Sequence, residues 1–157
     1  MCAPVDPHTR NYLQHTEARH NSVGRDFASR DQVQAGGGNT PKIEKKNLDS
    51  PDERRSFENG KIDVVTVGGL TMGRMTMQPG WKWSKSVKPI VKTNSCQSHH
   101  VGFVISGRLK TVLDDGTEAE VGPGEAYDIP SGHDAWVVGD SPWIAFELLS
   151  AAQYAKK

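Results

Sequence analysis

Glycine and proline divide the downstream part of the chain into short segments at regular intervals, and this spacing restricts the possible folds more than any other feature. The turn signals are Gly68-Gly69, Pro79-Gly80, Gly122-Pro123-Gly124, Pro130-Ser131-Gly132 and Gly139-Asp140-Ser141-Pro142. Between them lie about eight runs with the composition of β-strands, and no segment reads as a long amphipathic helix. This pattern predicts an all-β sandwich or barrel rather than an α/β fold.

Some of the signals also predict local geometry. Asp115-Gly116 separates the runs 108–113 and 117–121, and this dipeptide favours a type I′ hairpin because Asp and Gly tolerate positive φ. The alternation of side chains changes phase near Gly73, which predicts a β-bulge there. A charged stretch rich in turn formers precedes these runs, so the first strand is expected to begin near Ile62.

The run 100–106 alternates in a way that predicts two different faces. His100 and Val104 share one face, which is otherwise small or polar and is expected to line a cavity. The opposite face carries an apolar stripe formed by Val101, Phe103 and Ile105. Because this stripe would contact water in a lone barrel, it predicts a homodimer. Alternatively, loops of the other sheet or the N-terminal segment cover the stripe within one chain.

The first 47 residues differ in composition from the rest of the chain. They contain few large apolar side chains and include the run Gly36-Gly37-Gly38, so they cannot bury enough apolar area to offset their ordering entropy. Residues 1–47 are therefore predicted to be a flexible polar extension, or an arm that docks on a partner subunit. The histidines without regular ligand spacing, which are not expected to bind metal, are His8, His15 and His20. The barrel is assigned to 48–150 and a short tail to 151–157.

Charge and hydropathy argue against several classes of partner. Lys plus Arg and Asp plus Glu both number 19, so no net field attracts nucleic acid. No window approaches the roughly 20 apolar residues of a membrane span, and no signal peptide is recognisable. The two cysteines, Cys2 and Cys96, do not form a disulfide framework. The expectation is a cytoplasmic protein with no nucleic-acid or membrane partner.

Three turn residues carry a resemblance to a known family. Gly124, Pro130 and Gly132 have the spacing of the second sequence motif of the cupin superfamily, and Gly107 matches the last glycine of the first motif. The chain resembles the cupins over about residues 48–149, and its phrase PSGHDAWVVGD is similar to one found in small single-domain bacterial members of unassigned role. The resemblance implies a double-stranded β-helix, or jelly-roll barrel, that commonly pairs with a second copy.

The family commonly holds one metal ion between three histidines and a glutamate, and this chain differs at each of those positions. Aligned on the first motif, His100 falls where the family has its acidic residue. Asn94 and Cys96 fall where it has a His-x-His pair, and Ala135 falls where it has the last histidine. The ligand set implied by the family is therefore replaced in this sequence.

The residues themselves suggest a different metal site. Asn94, Cys96 and His100 share strand parity, and His133 has the parity of the family position at Ala135, so all four could face one cavity. A Cys96, His100, His133 set is chemically competent for one divalent transition metal, zinc or iron, with a fourth position open. The alternative is that Cys96 is a small buried hydrophobe and His133 only caps a turn.

Aromatic and polar side chains complete the predicted pocket. Trp81 and Trp83 share strand parity and alternate with lysines, so they either form a pocket wall or cover one end of the core. Tyr127 and Asn94 are further candidate substrate contacts. Two functions remain open. One is a metal-dependent cupin acting on a small organic molecule as an oxygenase, isomerase or lyase, and the other is a metal-free module that binds or senses a small molecule.

Overall fold

The computed structural model describes residues 42–156, which form nine β-strands and two single-turn helices. In chain order these are β1 (Glu53–Phe57), β2 (Gly60–Val67), β3 (Leu70–Met77), α1 (Trp83–Ser86), α2 (Lys88–Val91), β4 (His100–Ser106), β5 (Arg108–Leu113), β6 (Glu118–Val121), β7 (Ala126–Ile129), β8 (His133–Val138) and β9 (Trp143–Glu147). The all-β prediction is confirmed. Most of the predicted extension, with its three histidines and the arm alternative, lies outside the described residues, and 42–47 are exposed without regular structure.

The strands form two antiparallel sheets whose pairing is nested. One sheet has the order β1-β2-β3-β9-β4-β7 and the other the order β6-β5-β8. From the outside inward, β3 pairs with β9, Lys82 forms a single bridge to Trp136 in β8, β4 pairs with β7, and β5 pairs with β6. A long hairpin that is rolled up gives this nesting, which defines a jelly roll. Lys82 takes the place of the second strand of the roll.

The core lies between the two sheets. Burial alternates along β8 and β9, so that their odd-numbered residues face inward. The buried apolar side chains from both sheets include Ile62, Met75, Met77, Trp81, Trp83, Val104, Leu109, Ile129, Val137 and Trp143. Each full burial of a large apolar side chain is worth about 1.5–3 kcal/mol relative to exposure. This cluster therefore supplies much of the stability and also forms the walls around the candidate site.

An N-terminal hairpin of β1 and β2 extends the larger sheet beyond the roll. The sequence predicts no strand before Ile62, but β1 pairs in register with β2. Its charged residues reflect an edge strand, where charged side chains face solvent and discourage pairing with other chains. The carboxylate of Asp63 in β2 is buried and ion-paired with Arg54, which fixes β1 to β2. Burial would raise the pKa of Asp63, but hydrogen bonds from Arg54, Arg74 and Lys61 lower it.

Two predicted details of the backbone are wrong. No register shift occurs at Gly73, where a Cβ would approach Cδ1 of Ile62 to 2.9 Å, so the glycine permits close packing rather than a bulge. The Asp115-Gly116 hairpin is not type I′, because only Gly116 has positive φ. Its amide donates to the Leu113 carbonyl at 2.9 Å, which gives a three-residue loop with Gly116 in the left-handed conformation.

The segment between β3 and β4 forms two helical turns rather than a continuous strand. Helix α1 begins at Trp83, and Pro89 in the first turn of α2 suits the helix start because its missing N–H needs no partner there. Lys92 ends α2 with a φ of 60°. Over residues 42–156, no helix has the length and apolar character needed to cross a bilayer.

Candidate metal centre

Cys96, His100 and His133 come together at one end of the roll. Cys96 forms an isolated antiparallel bridge to His133, the first residue of β8, and its amide donates to the His133 carbonyl at 2.8 Å. His100 is the first residue of β4. The three residues are only 2%, 6% and 3% exposed, and their candidate ligand atoms all lie within 4.8 Å of one another. The three residues that the sequence prediction grouped thus form one compact cluster, although residues 97–99 between Cys96 and His100 form no strand.

The hydrogen bonds of both histidines direct the same ring nitrogen towards the cluster. Nδ1 of His133 donates to the carbonyl of Pro130 at 2.7 Å. Nδ1 of His100 lies 3.2 Å from Oε2 of Glu147, while its Nε2 lies 3.6 Å from Sγ of Cys96. A histidine that ligates a metal usually donates its other N–H to a carboxylate or a backbone carbonyl. Both rings have such a partner before any ion binds.

Glu147 is the residue that the sequence prediction missed. It is fully buried at the end of β9 and accepts hydrogen bonds from the hydroxyl of Tyr127 at 3.1 Å and the amide of Val101 at 3.0 Å. Burial would raise the pKa of Glu147, but the hydrogen bond and charge of His100 lower it. A sequence signal existed, because Glu147 shares inward parity with Trp143 and Ala145 in an otherwise apolar strand.

Cys96 and His100 shift each other's pKa in opposite directions. Burial by itself would raise the pKa of the Cys96 thiol, but hydrogen bonds and positive charge from His100 and His133 lower it to about 6. Burial would likewise lower the pKa of His100, but Cys96 and Glu147 raise it to about 9. Near neutral pH, the metal-free cluster therefore contains a thiolate beside an imidazolium, and an ion that binds must displace the proton from His100.

A small cavity lies beside the cluster. Its lining residues are Met75, Trp81, Trp83, His100, Leu109, Tyr127, Ile129, His133, Ala135, Trp143, Glu147 and Tyr154. The free volume is about 20 Å³, which is on the order of one or two water molecules. Three of the predicted pocket residues, Trp81, Trp83 and Tyr127, are thus part of the wall. Burial and the neighbouring carboxylate of Glu147 raise the pKa of Tyr127, so its hydroxyl stays protonated.

The prediction for Asn94 is wrong, and Trp83 lines the cavity from a helix rather than from the predicted strand. Asn94 lies in an exposed bend, and its carbonyl accepts from Nζ of Lys88 at 3.1 Å. Strand parity does not apply to it, because the strand-like segment before β4 is limited to the bridge at Cys96. Trp83 reaches the cavity from the first turn of α1 and not as part of a strand with Trp81.

The predicted C-terminal tail packs against the cluster. Ala151 and Tyr154 are buried, and the Tyr154 ring lies 5.2 Å from the ring of His100. The guanidinium of Arg55 donates to the carbonyls of both Ala151 and Tyr154. Tyr154 and Trp83 also separate the cavity from an outer groove of about 190 Å³. The other groove residues are Val87, Val91, Thr93, Cys96, Gln97, Ser98, Gln153 and Ala155.

The conformation of the motif glycines agrees with the family resemblance. Gly124 and Gly132 adopt φ values of 84° and 86° and form the turns on either side of β7. A structure from Rhizobium leguminosarum bv. viciae 3841, of unknown function, has 22% identity and a TM-score of 0.50, with 69% of this chain and 97% of that chain covered. Its fold is similar to the nested roll described above. Residues 42–156 have the jelly-roll fold that the resemblance implies.

Other solved structures match with TM-scores below 0.5. Oxalate decarboxylase from Lactobacillus farciminis shares 19% identity at a TM-score of 0.46, with 65% of this chain covered. This chain spans only 32% of that enzyme's length. KdgF from a Halomonas species shares 17% identity at a TM-score of 0.44, with 61% of this chain and 83% of that chain covered. No family model and no curated protein matches the sequence.

Proposed function

We propose that this cupin domain binds one divalent transition metal, zinc or iron, between Cys96, His100 and His133. The observation that carries the proposal is the buried cluster, in which the three candidate ligand atoms lie within 4.8 Å of one another. A thiolate and two imidazoles are a suitable donor set for either metal. Three protein ligands leave one position for water or a small organic molecule, as in catalytic rather than structural zinc sites.

The surrounding residues support a reactive rather than a purely structural role. The bound ion would polarise a substrate oxygen or lower the pKa of a water. Glu147 holds the ring of His100 in position and favours Nε2 as the ligand atom. Apolar walls exclude bulk water from the cavity. On this proposal, the protein acts on a small organic molecule by an oxygenase, isomerase or lyase reaction.

Metal content tests the proposal directly. Protein purified without added metal, and protein reconstituted separately with zinc and with iron(II) under anaerobic conditions, are analysed for metal. We expect about one equivalent in the wild type and much less in Cys96→Ser. Cys2→Ser and His99→Gln are matched controls, because Cys2 is the other cysteine in the sequence and His99 is exposed and paired with Asp128. Less than about a tenth of an equivalent after reconstitution contradicts the proposal.

A metal-free binding module is the second candidate, and one observation favours it. Sγ of Cys96 already has a partner in Nε2 of His100 at 3.6 Å, so the cluster is satisfied without an ion. In this case the barrel is a container for a small ligand and has no catalytic activity. A thermal-shift screen against metals, organic acids and sugars distinguishes the two, because a ligand that binds only the folded state raises the Tm. Stabilisation by organic ligands after treatment with chelator, with none by metals, favours the metal-free module.

A further inference from the structure

Three tryptophans on the cavity wall carry hydrogen-bond donors without acceptors. Trp81, Trp83 and Trp143 are 3%, 2% and 2% exposed, and all three line the cavity beside the cluster. Within residues 42–156, the indole Nε1 of each is buried and has no hydrogen-bond partner. A buried polar group without a partner is destabilising, so three on one cavity wall require an explanation.

The rest of the wall offers little to accept these protons. Its aliphatic part is formed by Met75, Leu109, Ile129 and Ala135. The carboxylate of Glu147 is occupied by the hydroxyl of Tyr127 and by the ring of His100. An indole N–H donates and never accepts. Three residues of the cavity wall thus carry unpaired indole donors, and a ligand that satisfies them must supply acceptors.

We infer that this cavity binds a compact anion, whose acceptor atoms receive hydrogen bonds from the indole N–H groups of Trp81, Trp83 and Trp143. The inference deepens the proposed function, because a divalent ion offsets the negative charges of Cys96 and Glu147 and offers an anion a coordination position at the open site. The donors are present whether or not the ion is bound.

The size of the cavity restricts the ligand further. A free volume of about 20 Å³ holds about one or two water molecules, so only an anion of about two or three heavy atoms enters without movement of the wall. The ligand is therefore a small inorganic anion or a very short organic acid, both of which present negatively charged acceptor atoms. A larger acid requires displacement of Tyr154, which separates the cavity from the outer groove.

Nitrogen-15 spectra of the indole groups test the inference on the full chain. Zinc-loaded and metal-free protein, labelled at the tryptophan indoles, are titrated with azide, with acetate and with methylammonium. We expect saturable shifts of the Trp81, Trp83 and Trp143 N–H resonances with azide, to lower field as hydrogen bonds form. Acetate produces the same shifts if a carboxylate fits. Methylammonium, which has donors only, produces none.

Trp136 is the internal control. It is the fourth tryptophan of the chain, is partly buried outside the cavity, and lies under Nζ of Lys82 at 4.9 Å from the ring centroid. Its resonance should not move with azide. Replacing Trp81 or Trp143 by Phe should weaken azide binding about tenfold, the effect of losing a hydrogen bond to a charged group. Trp136→Phe should leave it unchanged.

The outcomes separate this inference from the proposed function. If zinc binds but azide and acetate move none of the three resonances, resident water accepts the three protons and the inference is wrong, while the metal proposal stands. If no metal binds but the three resonances respond in the metal-free protein, the inference stands without the ion. Equal movement of all four resonances indicates non-specific binding and also overturns it.

Discussion

His100 connects the parts of the candidate centre through contacts on both sides of its ring. Nε2 faces Cys96, and Nδ1 faces Glu147 and the hydroxyl of Ser150, which lies 2.8 Å away. The ring also packs against His133 with centroids 5.3 Å apart. Because His100 is buried, its orientation is fixed before any ion binds. Changes to its partners should therefore affect the metal site without altering the ligands themselves.

Glu147→Gln should weaken zinc binding by about 10–100-fold, because an amide neither fixes the tautomer of His100 nor raises its basicity as a carboxylate does. Competition with a chromophoric chelator measures the affinity. Glu120→Gln is a suitable control, since Glu120 lies on β6 and pairs with Arg108 in solvent. Equal affinities in Glu147→Gln and the wild type would show that the carboxylate has only a structural role.

In metal-free protein, the thiolate of Cys96 should titrate with a pKa of about 6. Since this lies below the ordinary value of 9.0, ionisation of Cys96 stabilises the fold above pH 9.0, and this stabilisation is lost as the pH falls through about 6. Ultraviolet absorbance of the thiolate in a Cys2→Ser background measures the titration. His100→Gln should raise the pKa, because it removes the principal hydrogen bond and charge that oppose burial. A pKa that does not change in His100→Gln contradicts the interaction.

Single residues also show what could be predicted from the sequence. Cys96, His100 and His133 lie together because His100 and His133 begin β4 and β8 and Cys96 bridges to His133, although residues 97–99 form no strand that would carry parity from Cys96 to His100. The prediction for Asn94 is wrong because a single bridge at Cys96 stands where a strand was expected. No local sequence signal indicates this. Strand parity is enough to predict Glu147 as an inward carboxylate, whereas the family motif expects its acidic residue at the position of His100.

At the scale of elements, the C-terminal segment 150–156 closes the site and is held from β1. Arg55 donates to two of its carbonyls, and Nε of Arg55 is ion-paired with Glu53 at 3.2 Å. The sequence predicted neither β1 nor the packing of the segment. Both depend on contacts between the two ends of the described chain, which strand period and turn chemistry do not encode.

Arg55→Gln should loosen this segment and expose Cys96 to reagents, because Tyr154 and Cys96 line the same groove. We expect faster hydrogen exchange over 150–156 and alkylation of Cys96 by iodoacetamide about tenfold faster. A tenfold change corresponds to a free energy of local opening that is lower by about 1.4 kcal/mol. Arg108→Gln removes an exposed ion pair on another strand and serves as the control. Unchanged alkylation would show that Tyr154 does not cover the thiol.

At the scale of the whole molecule, large apolar side chains are exposed on β4 of the six-stranded sheet and just after β9. Phe103 and Ile105 in β4 are 44% and 50% exposed, and Leu148 and Leu149, in the bend after β9, are 40% and 55% exposed. The Phe103 ring packs against Phe146 with centroids 5.6 Å apart. The stripe predicted from β4 thus faces outward, apart from Val101, which is partly buried. We propose that a second copy of the chain covers this face, which would form the homodimer predicted from the sequence.

Light scattering at micromolar concentration should give a dimer of the 17.2 kDa chain, and Phe103→Glu should dissociate it. The introduced carboxylate would be buried without a partner in the interface, which is strongly unfavourable. Leu70→Glu is the control, because Leu70 is 51% exposed at the start of β3. A monomeric wild type, or a Phe103→Glu variant that remains dimeric, contradicts an interface on this face.

The bridge between Cys96 and His133 brings together two residues that are far apart in the chain. Cys96 precedes β4 and His133 begins β8, so four strands form the loop between them. An ion bound to both residues would close that loop as a cross-link that a chelator removes, which no disulfide allows. Unfolding then slows or accelerates with the supply of the ion. If the proposed ion binds, its removal should therefore make the protein more susceptible to proteolysis.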